Sequence, residues 1–230
     1  MSRFRFPTWL TSARLLIILA SGLITLIISG YTAYRIYQGL FRERLVSNIV
    51  NTETTPNVQV KTNLGVFEPL KGTNYLMAAV SFQQNYRQSY YEKEASSIRN
   101  FLFFNTSDKS ARKLVLNNNF LFLRHEKLGQ SNPLEDVVKN VQGVWYEVVT
   151  ADSDGDKRLT TDDKKTVALS HVSGENYTEI IRQVDRIWST HQPNDSTLLV
   201  FYTSDAKNFV TEIHIPVRQA VITQQLPSLE

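Results

Sequence analysis

The sequence predicts a mainly β domain of antiparallel hairpins behind a single N-terminal transmembrane helix. Two observations carry this prediction. Leu15 to Tyr34 is a run of 20 residues without a charge, and from Asn74 onward short segments alternate apolar and polar residues. The first pattern suits a bilayer-crossing helix and the second suits half-buried strands.

At 1.5 Å of rise per residue, the run LLIILASGLITLIISGYTAY is about 30 Å long, the thickness of a bilayer core. A secretory signal would have an apolar stretch of about 7–15 residues ending in an A-x-A-like site. This run is longer and no such site follows, so the helix is expected to be retained. Trp9 on one side and Tyr31, Tyr34 and Tyr37 on the other suit the two interfaces. Ser21, Thr25 and Ser29 share one helix face, close to Gly22 and a turn from Gly30. They either pack against another membrane helix or bond back to their own. Arg3, Arg5, Arg14 and the amino terminus precede the span; Arg35, Arg42 and Arg44 follow it, offset by Glu43. That slight bias places the N-terminus in the cytoplasm and the β domain on the extracytoplasmic side.

The net charge of +3 divides unevenly: residues 1–50 carry six basic groups and one acidic, leaving 19 basic and 21 acidic for the remainder. The basic surplus therefore flanks the membrane, and the domain has no excess for binding phosphates. Nucleic acid is excluded as a partner on that ground. The absence of cysteine removes disulfide and thiol chemistry.

The expected organisation is an anchor and stem over 1–50, a polar linker over 51–73, a β domain over 74–225 and a tail over 226–230. Residues 35–50 are expected to extend the helix as an amphipathic stem. Strands are predicted at 75–82, 100–105, 113–117, 120–124, 144–151, 166–172, 177–181, 197–203, 209–216 and 220–224. The intervening NTSDKS, SGEN, QPNDS and SDAKN carry turn chemistry. Residues 83–98 read as a polar insertion or exposed helix. Residues 132–141 read as a short helix, with Asn132 as N-cap and Pro133 at the first position.

Three segments share a form of strand, Ser-Asp or Ser-Gly turn, strand: NFLFFNTSDKSARKLV, TVALSHVSGENYTEII and TLLVFYTSDAKNFVTEI. With the preceding strand, VWYEVVTADSDGDKRLTTDDKKTVALSHVSGENYTEII resembles a blade of TolB-like, WD40-like β-propellers. A closed propeller needs at least four blades and two to three are present. The expected architecture is thus an open sheet or a sandwich of blade-like hairpins.

Within that unit, Asp152-Ser153-Asp154-Gly155-Asp156-Lys157-Arg158-Leu159-Thr160-Thr161-Asp162-Asp163 resembles the calcium loop of EF-hand and dockerin proteins. Calcium takes six to eight oxygens at about 2.3–2.6 Å. The resemblance implies side-chain ligands from Asp152, Asp154 and Asp156 and a carbonyl from Arg158. It also implies Thr160, directly or through water, and closure by Asp163, with Leu159 tucked into the core. Lys157 stands where such loops carry glycine at positive φ, and Asp163 is a methylene shorter than the usual Glu. Both departures imply weak binding. Strand-like flanks make a structural ion the expectation over a switch; a solvated acidic turn is the plain alternative.

His125, His171, His191 and His214 form no ligand pair at short spacing, and Glu135-Asp136 and Asp162-Asp163 read as solvated turns. Asn105, Asn176 and Asn194 begin N-x-S/T triplets, relevant only in a eukaryotic secretory pathway. No nucleophile elbow, phosphate loop, dinucleotide fingerprint or H-E-x-x-H helix occurs. The function expected is non-enzymatic: a membrane-anchored β domain for protein–protein interaction, an accessory subunit of a membrane assembly with structural calcium. The alternatives are a membrane-anchored hydrolase with dispersed catalytic groups and a calcium-responsive sensor.

Overall fold

Among the described residues the chain forms sixteen strands. The computed structural model describes residues 8–41, 46–52, 60–88, 91–132 and 137–227, with side chains over 20–37, 48–52, 61–83, 97–130 and 138–227. The elements are α1 (Thr8–Phe41), β1 (Val46–Ser47), β2 (Val50–Asn51), β3 (Val60–Leu64), β4 (Glu68–Pro69), β5 (Tyr75–Gln88), β6 (Tyr91–Asn105), β7 (Ala111–Lys113) and β8 (Leu121–Asn132). They continue with β9 (Val137–Val149), β10 (Arg158–Leu159), β11 (Lys165–His171), β12 (Thr178–Val184), β13 (Arg186–Asn194), β14 (Thr197–Ser204), β15 (Lys207–His214) and β16 (Gln219–Gln225). The chain divides into two units, 1–44 and 45–230.

In the first unit, α1 has 34 residues. Its described apolar side chains are exposed: Leu26 is 72% exposed and Ile27 62%. The Thr25 hydroxyl donates to the Ser21 carbonyl and Thr32 to that of Ile28, each at 2.8 Å, so these polar groups are satisfied within their own helix. Among the described residues no helix is long and apolar enough to cross a membrane. The span predicted from sequence begins at Leu15, and side chains 15–19 lie outside the described set.

The second unit holds the sheets, which are open. A ten-stranded sheet runs β12-β11-β9-β8-β6-β5-β3, with β1 and β7 also on β6 and β4 on β5. A four-stranded sheet runs β13-β14-β15-β16, and β10 pairs with β2 alone. Pairing is antiparallel except for β1 with β6. Two four-strand meanders result: β8-β9-β11-β12 and β13-β14-β15-β16.

Two cores form on opposite faces of β9, because side chains alternate across a sheet. On β9, Val144, Tyr146 and Val148 join Phe101, Phe103, Phe122 and Met77 in one core, closed by Leu70 and Leu114. Trp145, from the other face, joins Val167 and Leu169 of β11 and Leu198, Val200, Ile213 and Ile215 around the smaller sheet. Phe101 centres the first core, with its ring 5.2 Å from Phe122, 5.3 Å from Tyr146 and 4.7 Å from His125.

Several segments differ from the sequence expectation. The helix ends at Phe41 and the β fold begins at Val46, inside the expected stem. Residues 60–64 and 68–69, expected as linker, are strands on β5, and Leu70 is fully buried. Residues 53–59 of that linker lie outside the described residues. Residues 83–98, read as a polar insertion or an exposed helix, contain the far end of a long β5–β6 hairpin, paired from Gln83↔Ser96 to Gln88↔Tyr91. The helix expected over 132–141 is absent: β8 reaches Asn132 and β9 starts at Val137. Residues 133–136 are not described. β-branched Val137, Val138 and Val141 favour the sheet, and β8 supplies a partner strand that outweighs the local capping signal. β13 has no counterpart among the predicted strands.

Candidate metal centre

The acidic loop connects β9 to β11, and its geometry follows from its aspartates. Asp152 accepts the Gly155 N–H on Oδ1 and the Lys157 N–H on Oδ2, both at 2.7 Å. Asp154 Oδ1 accepts the Asp156 N–H at 3.0 Å, and Asp156 Oδ1 accepts the Arg158 N–H at 2.8 Å. Each carboxylate thus folds the backbone two to five residues ahead into a tight coil. The coil requires positive φ at Gly155 (82°) and at Lys157 (67°). Lysine therefore adopts the left-handed conformation that the resemblance reserves for glycine, at a cost of about 1–2 kcal/mol.

As a result, Asp152, Asp154 and Asp156 each offer an oxygen, and these oxygens lie within 4.8 Å of one another. Two oxygens that share an ion at about 2.4 Å are at most about 4.8 Å apart, so the triad meets the spacing needed to hold a metal ion. Partial desolvation works to raise the Asp152 carboxyl, but the bonds from Gly155 and Lys157 outweigh it and hold the group below the ordinary range. Asp154 is pushed up. The bond from the Asp156 N–H lowers it, but desolvation, the Asp156 and Asp163 carboxylates and the hydrogen bond with Asp152 together prevail. This crowding of anions is what a bound cation would relieve.

The remaining expected ligands have other tasks. Asp163 is fully buried. Its Oδ1 accepts the Ser153 N–H at 2.6 Å and the Ser153 hydroxyl at 3.0 Å; its Oδ2 accepts the Thr160 N–H at 2.8 Å. It clasps the two ends of the loop and stands outside the triad. The Thr160 hydroxyl accepts the Asp162 N–H at 3.1 Å. Arg158 enters β10, opposite Asn51.

Leu159 is 2% exposed and packs with Val50, Leu121 and Val149 in a third, small core. This is the inward anchor expected of the eighth loop position. Ser153 and Thr52 were not foreseen. Ser153 reads as a spacer between aspartates, yet its hydroxyl also accepts the Lys164 N–H at 2.8 Å. Thr52 lies in the expected linker, yet its N–H and hydroxyl both donate to the Lys157 carbonyl, at 3.0 and 2.7 Å. A pairing 105 residues distant leaves no local sequence signal.

Beside the loop, an open cleft of about 420 Å³ is lined by Glu147, Thr161, Asp162, Lys165, Asp185, Arg186 and Ile187. Burial raises the Glu147 carboxyl against the pull of Arg124 and Lys165. The Lys164 ammonium, hydrogen-bonded to Asp185, holds that carboxyl below its usual range. Arg124 stacks on Trp145, 4.9 Å from the ring centre. His171 closes its own turn through Ser173, with Nδ1 2.9 Å from Oγ. Among the described residues the aspartate triad is the sole metal-competent cluster of histidines and acids.

Comparison with protein-family models, with curated proteins and with solved structures finds no match.

Proposed function

We propose that the chain is a membrane-anchored, non-enzymatic β domain that binds another protein as an accessory subunit of a membrane assembly, with a structural calcium ion at Asp152, Asp154 and Asp156. The observation that carries this is the edge strand β16. All seven of its residues are exposed, none is charged, and Val221 and Ile222 are 56% and 57% exposed. An unpaired edge presents a row of backbone donors and acceptors, and soluble proteins blunt such edges with lysine, proline or a bulge. Here a register shift beside Ile222 is the one such device. Its fit is to an added strand from a partner. The uncharged run in the sequence supports a lipid anchor, with the N-terminus cytoplasmic and the domain extracytoplasmic. The test is the size of the protein extracted from its own membrane in mild detergent. A mass well above the monomer is expected, and monomer alone would overturn the proposal.

Calcium is taken as structural, since the loop's carboxylates already organise its backbone. Equal melting temperatures in calcium and in chelator would reduce the loop to an ordinary acidic turn.

A membrane-anchored hydrolase has one observation in its favour: the cleft that holds Glu147 and Asp185 with carboxyls displaced in opposite directions, a pattern that suits an acid and a base. A wild type that cleaves no ester, amide or glycoside would dismiss it, and unchanged activity of Glu147→Gln and Asp185→Asn would remove this cleft from it.

A further inference from the structure

Arg99 lies on β6 where the ladder is irregular. Val80 pairs with Asn100 and Ser81 with Ile98, which leaves Arg99 as the extra residue of a β-bulge. Bulges re-aim a side chain and are over-represented next to functional sites. The side chain is nonetheless 8% exposed, with its guanidinium 5.6 Å from the centre of the Phe82 ring. Its Nε is enclosed and donates to nothing.

The neighbours are satisfied. Asn100 donates to the carbonyls of Val115 and Asn117 and to Asn118 Oδ1, and accepts from the Val115 N–H. Ser97 bonds both the N–H and the carbonyl of Ile49. Arg112, Arg124, Lys127, Lys164 and Arg182 each face a carboxylate. Among the described residues Arg99 is a buried cation without one, and burial alone lowers its pKa to about 10.

An uncompensated buried charge is costly, and an apolar residue of similar volume commonly stabilises the fold in its place. Arginine suits buried interface ion pairs because its planar fork holds a carboxylate in two parallel bonds. We infer that Arg99 is an oxyanion receptor for a partner protein, taking the carboxylate of one Asp or Glu side chain offered by that protein. This inference rests on the protein-binding function proposed above and names a second contact for it. With the residue only 8% exposed, a flat lipid surface is excluded, and what little of Arg99 reaches the surface suits a single projecting group.

The experiment uses the full chain in mild detergent, labelled with ¹⁵N-arginine. The probes are the peptide acetyl-Gly-Glu-Gly-amide, its Gln counterpart and inorganic phosphate. The Arg99 Nε–Hε resonance, assigned by its loss in Arg99→Lys, should shift saturably with the Glu peptide and not with the Gln peptide. Arg99→Met should melt at the same temperature or higher, yet run as a smaller species than the wild type in native extracts. A silent Glu peptide overturns the inference. So does saturation by phosphate at tenfold lower concentration than by the peptide, which would make Arg99 a phosphate site. An Arg99→Met assembly of wild-type mass also overturns it. A wild type that is itself monomeric defeats the assembly proposal instead, and the peptide titration still decides Arg99.

Discussion

Thr52 donates both its backbone N–H and its hydroxyl to the carbonyl oxygen of Lys157, joining the segment that follows α1 to the centre of the acidic loop. The residue that holds the loop's left-handed turn is thereby fastened from outside the loop. Thr52→Val keeps the N–H bond and removes the hydroxyl one. A loss of about 0.5–1.5 kcal/mol of stability is expected, read as a lower urea midpoint at unchanged slope.

Lys157→Gly removes a strained conformation, since glycine enters positive φ without a clash. A gain of up to about 1 kcal/mol is expected, with tighter calcium binding by calorimetry. The added chain entropy of glycine in the unfolded state limits the gain. A destabilised variant would show that the lysine side chain contributes more than its backbone costs.

Calcium at ten times its dissociation constant should stabilise the domain by about 1.4 kcal/mol, with the constant near 10⁻⁴–10⁻³ M. Asp154→Ala should abolish that gain and leave the calcium-free domain folded, with at most the small loss of one exposed hydrogen bond. Because the Asp154 carboxyl is raised, protons compete with the ion, and calcium affinity should fall as pH drops through the carboxylate range.

Asp163→Asn should cost more than Asp154→Ala, about 1.5–3 kcal/mol. A buried carboxylate that accepts two backbone N–H groups becomes an amide that can accept only one of them well. Equilibrium denaturation without calcium isolates this effect.

His125 tests the core electrostatically. Burial against Phe101 lowers its pKa, opposed by Glu68 and Glu126 and assisted by Lys127. The folded state therefore favours the neutral ring. Above the unfolded pKa of about 6.5 neither state binds the proton, and below it the unfolded chain takes the proton first. This contribution to stability is complete above that value and is lost as pH falls to the folded pKa. His125→Leu should flatten that slope in thermal melts from pH 7 to 5.

Legibility in the sequence follows the range of the interaction. Alternation revealed β5, β8, β9, β11, β12, β14, β15 and β16 at least in part, while the strand expected over 113–117 stops at Lys113; turn residues revealed connections: Asn105 Oδ1 caps the Ser107 N–H and Asn194 Oδ1 that of Ser196. The aspartate spacing of two, together with Leu159, was enough to bring the triad and its inward anchor together. Distant pairing was silent. Val50 gives no sign that it meets Leu159, and β13 is polar because an edge strand buries little. At Asn132-Pro133 a helix cap was legible, and β8 supplied the competing strand. Asp163 had the loop position of a ligand, and in the fold both of its oxygens hold backbone N–H groups, a role that spacing alone does not reveal.

The two-residue pairings of β1 and β2 also have a mechanical consequence. Tension applied to the chain from the side of α1 meets β1 on β6 first, then β2 on β10, before any long strand is loaded. These short rungs would yield before the meanders, and yielding would pull Thr52 away from Lys157. The acidic loop thus registers a pull along the chain before any long strand does. An ion that stiffens this loop would raise the force at which the domain begins to come undone.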